Sequence, residues 1–191
     1  VRFSGCNLRC PWCDTEFTDF TEMSADEIVA EMLALYDVPN ERRKMCVLTG
    51  GEPSLQVDTA LIEALHKAGF YISIETNGTR SLPEGIDWIT CSPKAESLDT
   101  RKGHAGLALK QANEVKVVFT GTYDPEVWRT KIEAEHWMLQ PLRYTGEWLL
   151  VSGLDDFEID SNDNLDETVR YILAHPFWRL SVQLHKIAGL R

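Results

Sequence analysis

The stretch Met45-Cys46-Val47-Leu48-Thr49-Gly50-Gly51-Glu52-Pro53 decides the fold, because a strand-like apolar run passes straight into two glycines at its carboxyl end. Helical periodicity follows over 58–68 and stops at Gly69, a residue suited to a helix C-terminus. A second strand is predicted over 70–75. Working outward, strands are predicted at 1–4, at 87–91 after a turn at Pro83-Glu84-Gly85, at 114–119 and at 136–140, with a last strand-like run from Trp178 to His185. Helices are predicted at 125–134 and 164–174. One more opens at Ser24-Ala25-Asp26-Glu27, where Ser24 as N-cap and Glu27 three residues on form a capping box, and Ile28, Met32 and Leu35 then recur on one face. Apolar strands alternating with amphipathic helices are the signature of a parallel α/β architecture. About six parallel strands with fewer helices fit a partial (β/α) barrel, a fold whose ligand sites form at the carboxyl ends of strands.

The length of 191 residues suits one domain, 1–191, with a core that needs no disulfide staples. Lys and Arg number 19 against 30 Asp and Glu, for a net charge of −11. Such a surface repels phosphate backbones, which argues against nucleic acid as a partner. No run approaches the ~18 apolar residues of a membrane span, and no signal peptide is visible, so no membrane partner is expected. The odd cysteine count points to a reducing cytoplasm. Val1-Arg2-Phe3-Ser4 reads as the second half of a strand, so residues carrying the start of that strand are expected upstream.

Chemistry concentrates in Gly5-Cys6-Asn7-Leu8-Arg9-Cys10-Pro11-Trp12-Cys13-Asp14-Thr15. Structural zinc sites close with four ligands, and ferredoxin-type clusters use one cysteine per iron. Three cysteines spaced Cys-x3-Cys-x2-Cys leave one position open. Cys46 and Cys91 could complete a set of four, but each is embedded in an apolar run, where cysteine commonly acts as a small buried hydrophobe. The expected centre is an iron-sulfur cluster with one iron open to a ligand the protein does not provide.

Other motifs fall at predicted strand ends. The two glycines of Gly50-Gly51-Glu52-Pro53 allow close backbone approach to a ligand, and Glu52 is expected to accept hydrogen bonds from an ammonium group. In Glu75-Thr76-Asn77-Gly78-Thr79 the Asn-Gly pair reads as a turn. Glu75 is a carboxylate facing the mouth of the barrel, suited to a ribose or substrate hydrogen bond. Ser92-Pro93-Lys94 brings a hydroxyl and a cation to the next strand end.

The cysteine spacing and Gly50-Gly51-Glu52-Pro53 resemble those of the radical S-adenosylmethionine enzymes. Together with Arg2-Phe3-Ser4-Gly5-Cys6, Cys13-Asp14-Thr15, Glu75-Thr76-Asn77-Gly78-Thr79, Ser92-Pro93-Lys94, Leu139-Gln140-Pro141 and Gln183-Leu184-His185-Lys186, they make the chain similar to the 7-carboxy-7-deazaguanine synthase family. The resemblance implies a partial (β/α)6-type radical S-adenosylmethionine barrel with reduced helical content. It implies a ring contraction of 6-carboxy-5,6,7,8-tetrahydropterin to 7-carboxy-7-deazaguanine with loss of ammonia, a step in queuosine biosynthesis begun by a deoxyadenosyl radical. It assigns a 4Fe-4S cluster to Cys6, Cys10 and Cys13, and S-adenosylmethionine to Trp12, Cys13, Asp14, Gly51, Ser92, Pro93, Lys94 and Gln140. Thr15 matches the Mg2+ ligand, and Arg2 and Thr49 match substrate positions. His185 and Lys186 lie in a region that closes the pocket. A homodimer and a reductant such as flavodoxin or ferredoxin are implied as partners. Two rival readings are a glycyl-radical-enzyme activase and a non-catalytic iron-sulfur electron-transfer module.

Overall fold

A computed structural model of the chain describes residues 1–13, 15, 19–36, 44–142 and 164–183. Its strands are β1 (Arg2–Phe3), β2 (Lys44–Gly50), β3 (Phe70–Thr76), β4 (Trp88–Cys91), β5 (Gln111–Phe119), β6 (Glu133–Pro141) and β7 (Arg179–Leu180). They form one sheet in the order β1-β2-β3-β4-β5-β6-β7, every pairing parallel. The predicted α/β architecture is borne out, and each of the seven strand-like runs read from sequence contains a strand among the described residues.

Side chains alternate across the sheet as the pleat requires. In β3, Phe70, Ile72, Ile74 and Thr76 are buried while Tyr71, Ser73 and Glu75 are only partly covered. The buried set faces helices α1 (Ala25–Leu35) and α2 (Thr59–Lys67), where Phe3, Cys46, Leu48, Leu61 and Leu65 join it in one core cluster. A second cluster covers β4–β6 with Cys91, Val115, Val117, Trp137 and Leu139, packed with Trp128 and Trp178 and flanked by Tyr171 and Ile172 of α3 (Leu165–Ala174). Cys46 and Cys91 are both buried core members, as their apolar runs implied. The opposite face of the sheet carries the polar groups of the candidate site.

The capping box of α1 is present: Ser24 Oγ accepts from the Glu27 N–H, and Glu27 Oε2 accepts from the Ser24 N–H. Asp58 caps α2 by accepting from the Leu61 N–H. Two expectations change. Residues 125–134 do not form an α-helix; a 3-10 helix covers Pro125–Thr130, and Glu133 already pairs with Gln111 in the β5–β6 ladder. That pairing demands extended chain where the periodicity asked for another helical turn. The last run is a strand only at Arg179–Leu180, and Leu184 and His185 lie outside the described residues.

Gly50 is where geometry leaves no choice of residue. Its φ is 109°, and a Cβ there would stand 2.4 Å from the Phe3 carbonyl oxygen. Glycine therefore lets β1 lie close against the end of β2 and brings the cysteine loop to the neighbouring strand end.

Candidate functional site

The described candidate residues stand at or just past the carboxyl ends of strands, because parallel pairing in sequence order aligns all of those ends. The cysteine loop leaves β1 and returns to the next turn through two main-chain bonds: the Gly51 N–H donates to the Phe3 carbonyl and the Glu52 N–H to the Gly5 carbonyl, each 2.8 Å. Within the loop, the Cys13 N–H donates to the Cys10 carbonyl at 3.1 Å, and the Leu8 N–H donates to Cys6 Sγ at 3.4 Å.

The three thiols differ in cover. Cys13 is exposed, whereas Cys6 and Cys10 are half-buried. Burial pushes the Cys10 thiol up to about 11, partly offset by the Lys94 ammonium, and raises Cys6 in the same way. Among the described residues no three His, Cys, Asp or Glu side chains converge on a point where a single ion could sit. Three cysteines on one loop are compatible with a 4Fe-4S cluster, in which each thiolate would bind a different iron.

Beside the thiols, Lys94 Nζ donates to the Ser92 carbonyl at 2.5 Å and to Ser92 Oγ at 2.7 Å. It also lies 5.6 Å from the centroid of the Trp12 ring. Burial holds its pKa below the ordinary lysine value, while the nearby Cys10 and Cys91 thiols act in the opposite sense. Trp12, Pro93 and Lys94 line one cavity of about 290 Å³, together with Val118, Thr120 and Tyr123. A half-buried cation at such a wall suits a ligand carboxylate. Gln140 pairs in register with Val118 and so stands beside the same wall. Ser92 is anchored by its N–H to the Thr76 carbonyl at 2.7 Å.

Arg2 and Thr49 are register partners across β1 and β2. Thr49 Oγ1 donates to Glu75 Oε2 at 3.4 Å, and Lys116 Nζ meets Glu75 Oε1 at 2.9 Å. A guanidinium, a hydroxyl, a carboxylate and an ammonium thus run across the sheet from β1 to β5. Arg2 also borders a hollow of about 480 Å³ between β1 and Asp19–Met23, separate from the Lys94 cavity. Thr15 is half-buried. Asp14, His185 and Lys186 lie outside the described residues.

Glu52 departs from its expected role. It is fully buried; its Oε1 accepts from Thr76 Oγ1 at 2.6 Å and from the Ser54 N–H at 3.0 Å, and its Oε2 accepts from the Asn77 N–H at 2.6 Å. A carboxylate so occupied ties the Gly50-Gly51 turn to the end of β3, with three of its about four acceptor sites taken inside the protein. Asn77, read from sequence as a turn residue, is a buried junction between that turn and the cysteine loop. Its signal was its place beyond a strand end. Lys116 was also missed, though a lone cation inside the apolar strand 114–119 marks a polar inner face.

Residues 1–104 match the Radical SAM superfamily. The chain is 43% identical over 191 residues to the 7-carboxy-7-deazaguanine synthase of Bacteroides thetaiotaomicron, a match spanning 100% of this chain and 86% of that protein. It is 39% identical over 207 residues to the 7-carboxy-7-deazaguanine synthase of Bradyrhizobium diazoefficiens, spanning 100% of this chain and 88% of that one. Among solved structures, QueE from Escherichia coli is similar with a TM-score of 0.62 at 25% identity, over 95% of this chain and 83% of that chain.

Proposed function

We propose that this chain, which belongs to the 7-carboxy-7-deazaguanine synthase family of the radical S-adenosylmethionine superfamily, converts 6-carboxy-5,6,7,8-tetrahydropterin to 7-carboxy-7-deazaguanine with loss of ammonia. It is a radical lyase, and its cofactors are those of the family: a 4Fe-4S cluster, S-adenosylmethionine and Mg2+. The observation that carries the reading is the meeting of the cysteine loop, the Gly51 turn and Lys94 at the carboxyl ends of one parallel sheet. When bound, the cluster and S-adenosylmethionine supply the radical chemistry that takes a hydrogen atom from substrate.

The protein's own residues divide the remaining work. Cys6, Cys10 and Cys13 hold three irons. Lys94, with Ser92, Pro93, Trp12 and Gln140 around it, forms the cofactor wall, its ammonium taking the carboxylate of the methionine moiety. Arg2 grips the pterin carboxylate in a bidentate pair, and Thr49 stands next to it in register. Thr15 offers one hydroxyl to Mg2+, which keeps waters and shares substrate oxygens. Homodimer formation, a flavodoxin or ferredoxin reductant and a cytoplasmic location belong to the same reading. Among the described residues no helix is long and apolar enough to cross a membrane.

The decisive assay is anaerobic incubation of reconstituted protein with S-adenosylmethionine, reductant, Mg2+ and the carboxy-tetrahydropterin, followed by chromatography for the deazaguanine. Absence of that product sinks the reading, and radical transfer to a partner protein would favour the activase rival. Thr15→Ala should raise the Mg2+ concentration needed for half-maximal rate by roughly tenfold or more while leaving the cluster absorption unchanged; joint loss of both would make Thr15 a structural residue.

A further inference from the structure

We infer that Asn77 is a positioning residue for the cysteine-bound cluster, and that its side-chain amide sets how readily the cluster takes up an electron. The inference rests on the reading that Cys6, Cys10 and Cys13 hold a 4Fe-4S cluster. It assigns a role to a residue that lies outside the cysteine motif and 71 positions from Cys6.

The amide's orientation is fixed by its partners. Asn77 is 6% exposed, so its polar atoms need partners inside the protein. Its Oδ1 accepts from the Thr79 N–H at 2.9 Å and from Thr79 Oγ1 at 2.6 Å. Both acceptor sites are then filled, and a flipped amide would turn its NH2 group onto two donors. The NH2 group therefore points toward the cysteine loop. There it donates to Asn7 Oδ1 at 3.0 Å and reaches Cys6 Sγ at 3.9 Å. Asn7 Nδ2 closes the ring by donating to Thr79 Oγ1 at 2.8 Å. The Asn77 N–H, held by Glu52 Oε2 at 2.6 Å, prevents the whole unit from swinging away.

Cys6 Sγ consequently faces two N–H donors, from Leu8 and from Asn77. Hydrogen bonds to cluster sulfurs favour the reduced, more negative state and raise the reduction potential. The Leu8 donor is main chain and cannot be tuned by a side-chain substitution. Asn77 is the donor that sequence can change, and Asn7 is the anchor that aims it.

The test is a dithionite titration of anaerobically reconstituted protein, without substrate, with cluster reduction followed by electron paramagnetic resonance and iron content measured in parallel. Asn77→Ala, which removes the donor without adding charge, should load iron as the wild type does. Its equilibrium constant for one-electron reduction should fall about tenfold, a downward shift of about 59 mV. Asn77→Asp, which adds a negative charge, should fall further. Asn7→Ala, which removes the anchor but not the donor, should change the constant by less than about threefold. An unshifted Asn77→Ala potential overturns the inference, as does an Asn7→Ala shift equal to it. If both Asn77 variants lose their iron while Asn7→Ala keeps it, Asn77 is structural and the inference also fails. Failure of the wild type to take up a cluster would instead overturn the functional reading on which this one stands.

Discussion

Glu52 and the cysteines make opposite demands at the scale of single residues. Glu52 has exchanged all contact with water for three donors from Ser54, Thr76 and Asn77. Glu52→Gln keeps the shape but turns one acceptor into a donor, which leaves a buried group unpaired; the expected loss is about 1–3 kcal/mol, read as a lower urea midpoint at unchanged slope. The thiols answer to cover and charge. In cluster-free protein at pH 8, with Cys10 pushed up to about 11 and Cys91 to about 12 by burial, iodoacetamide should modify exposed Cys13 first, Cys10 later and Cys91 last, as mass spectrometry of a time course will show. Equal rates at Cys13 and Cys91 would contradict the burial described above. Much of this site is legible in the amino-acid sequence, because cysteine spacing is a local property. The role of Glu52 is not, because two of its three partners, Thr76 and Asn77, come from the end of β3, which no local pattern connects to it.

At the scale of elements, the 3-10 helix Pro125–Thr130 and α3 are joined through one carboxylate. Asp124 Oδ1 accepts from the Glu126 N–H at 3.0 Å and from Tyr171 Oη at 2.8 Å. Those bonds, the main-chain one first, hold the Asp124 carboxyl below its ordinary range, and burial together with Asp124 pushes the Tyr171 hydroxyl up. A carboxyl with a depressed folded pKa stabilises the protein above its unfolded value of about 3.9, and that contribution disappears as pH falls through the folded value. Asp124→Asn should therefore lower the melting temperature at pH 7 and lessen the further decline below about pH 4; parallel acid profiles for both proteins would refute the linkage. The predicted helix at 125–134 fails at this place for a related reason. Pro125 and the Asp124 cap start a helical turn, but strand β6 must begin at Glu133 to pair with Gln111, and tertiary pairing outweighs local periodicity. Ser24 and Gly69 are legible from sequence because caps are decided within one turn.

For the molecule as a whole, the cysteine loop is tied to the sheet by main-chain bonds near Gly5 and Gly51 and by the Asn7–Asn77–Thr79 ring. A group bound to all three cysteines adds a further tie that exists only in the folded state. Cluster loading should raise the melting temperature under anaerobic calorimetry, each kcal/mol appearing as about 2–4 °C for a chain of this size. Cys10→Ala should abolish that gain; an equal gain in the variant would mean that the cluster binds without the trio. The sheet's simple order has a further consequence, in time rather than space. With strands laid down in the order in which they are synthesised, a ribosome making ~5–20 residues per second exposes Cys6 about 5–20 seconds before Lys94 emerges to cover the loop. During that interval Cys6 and Cys10 lack the cover they have in the folded chain, so the site that would hold a cluster is complete only once the fourth strand has emerged.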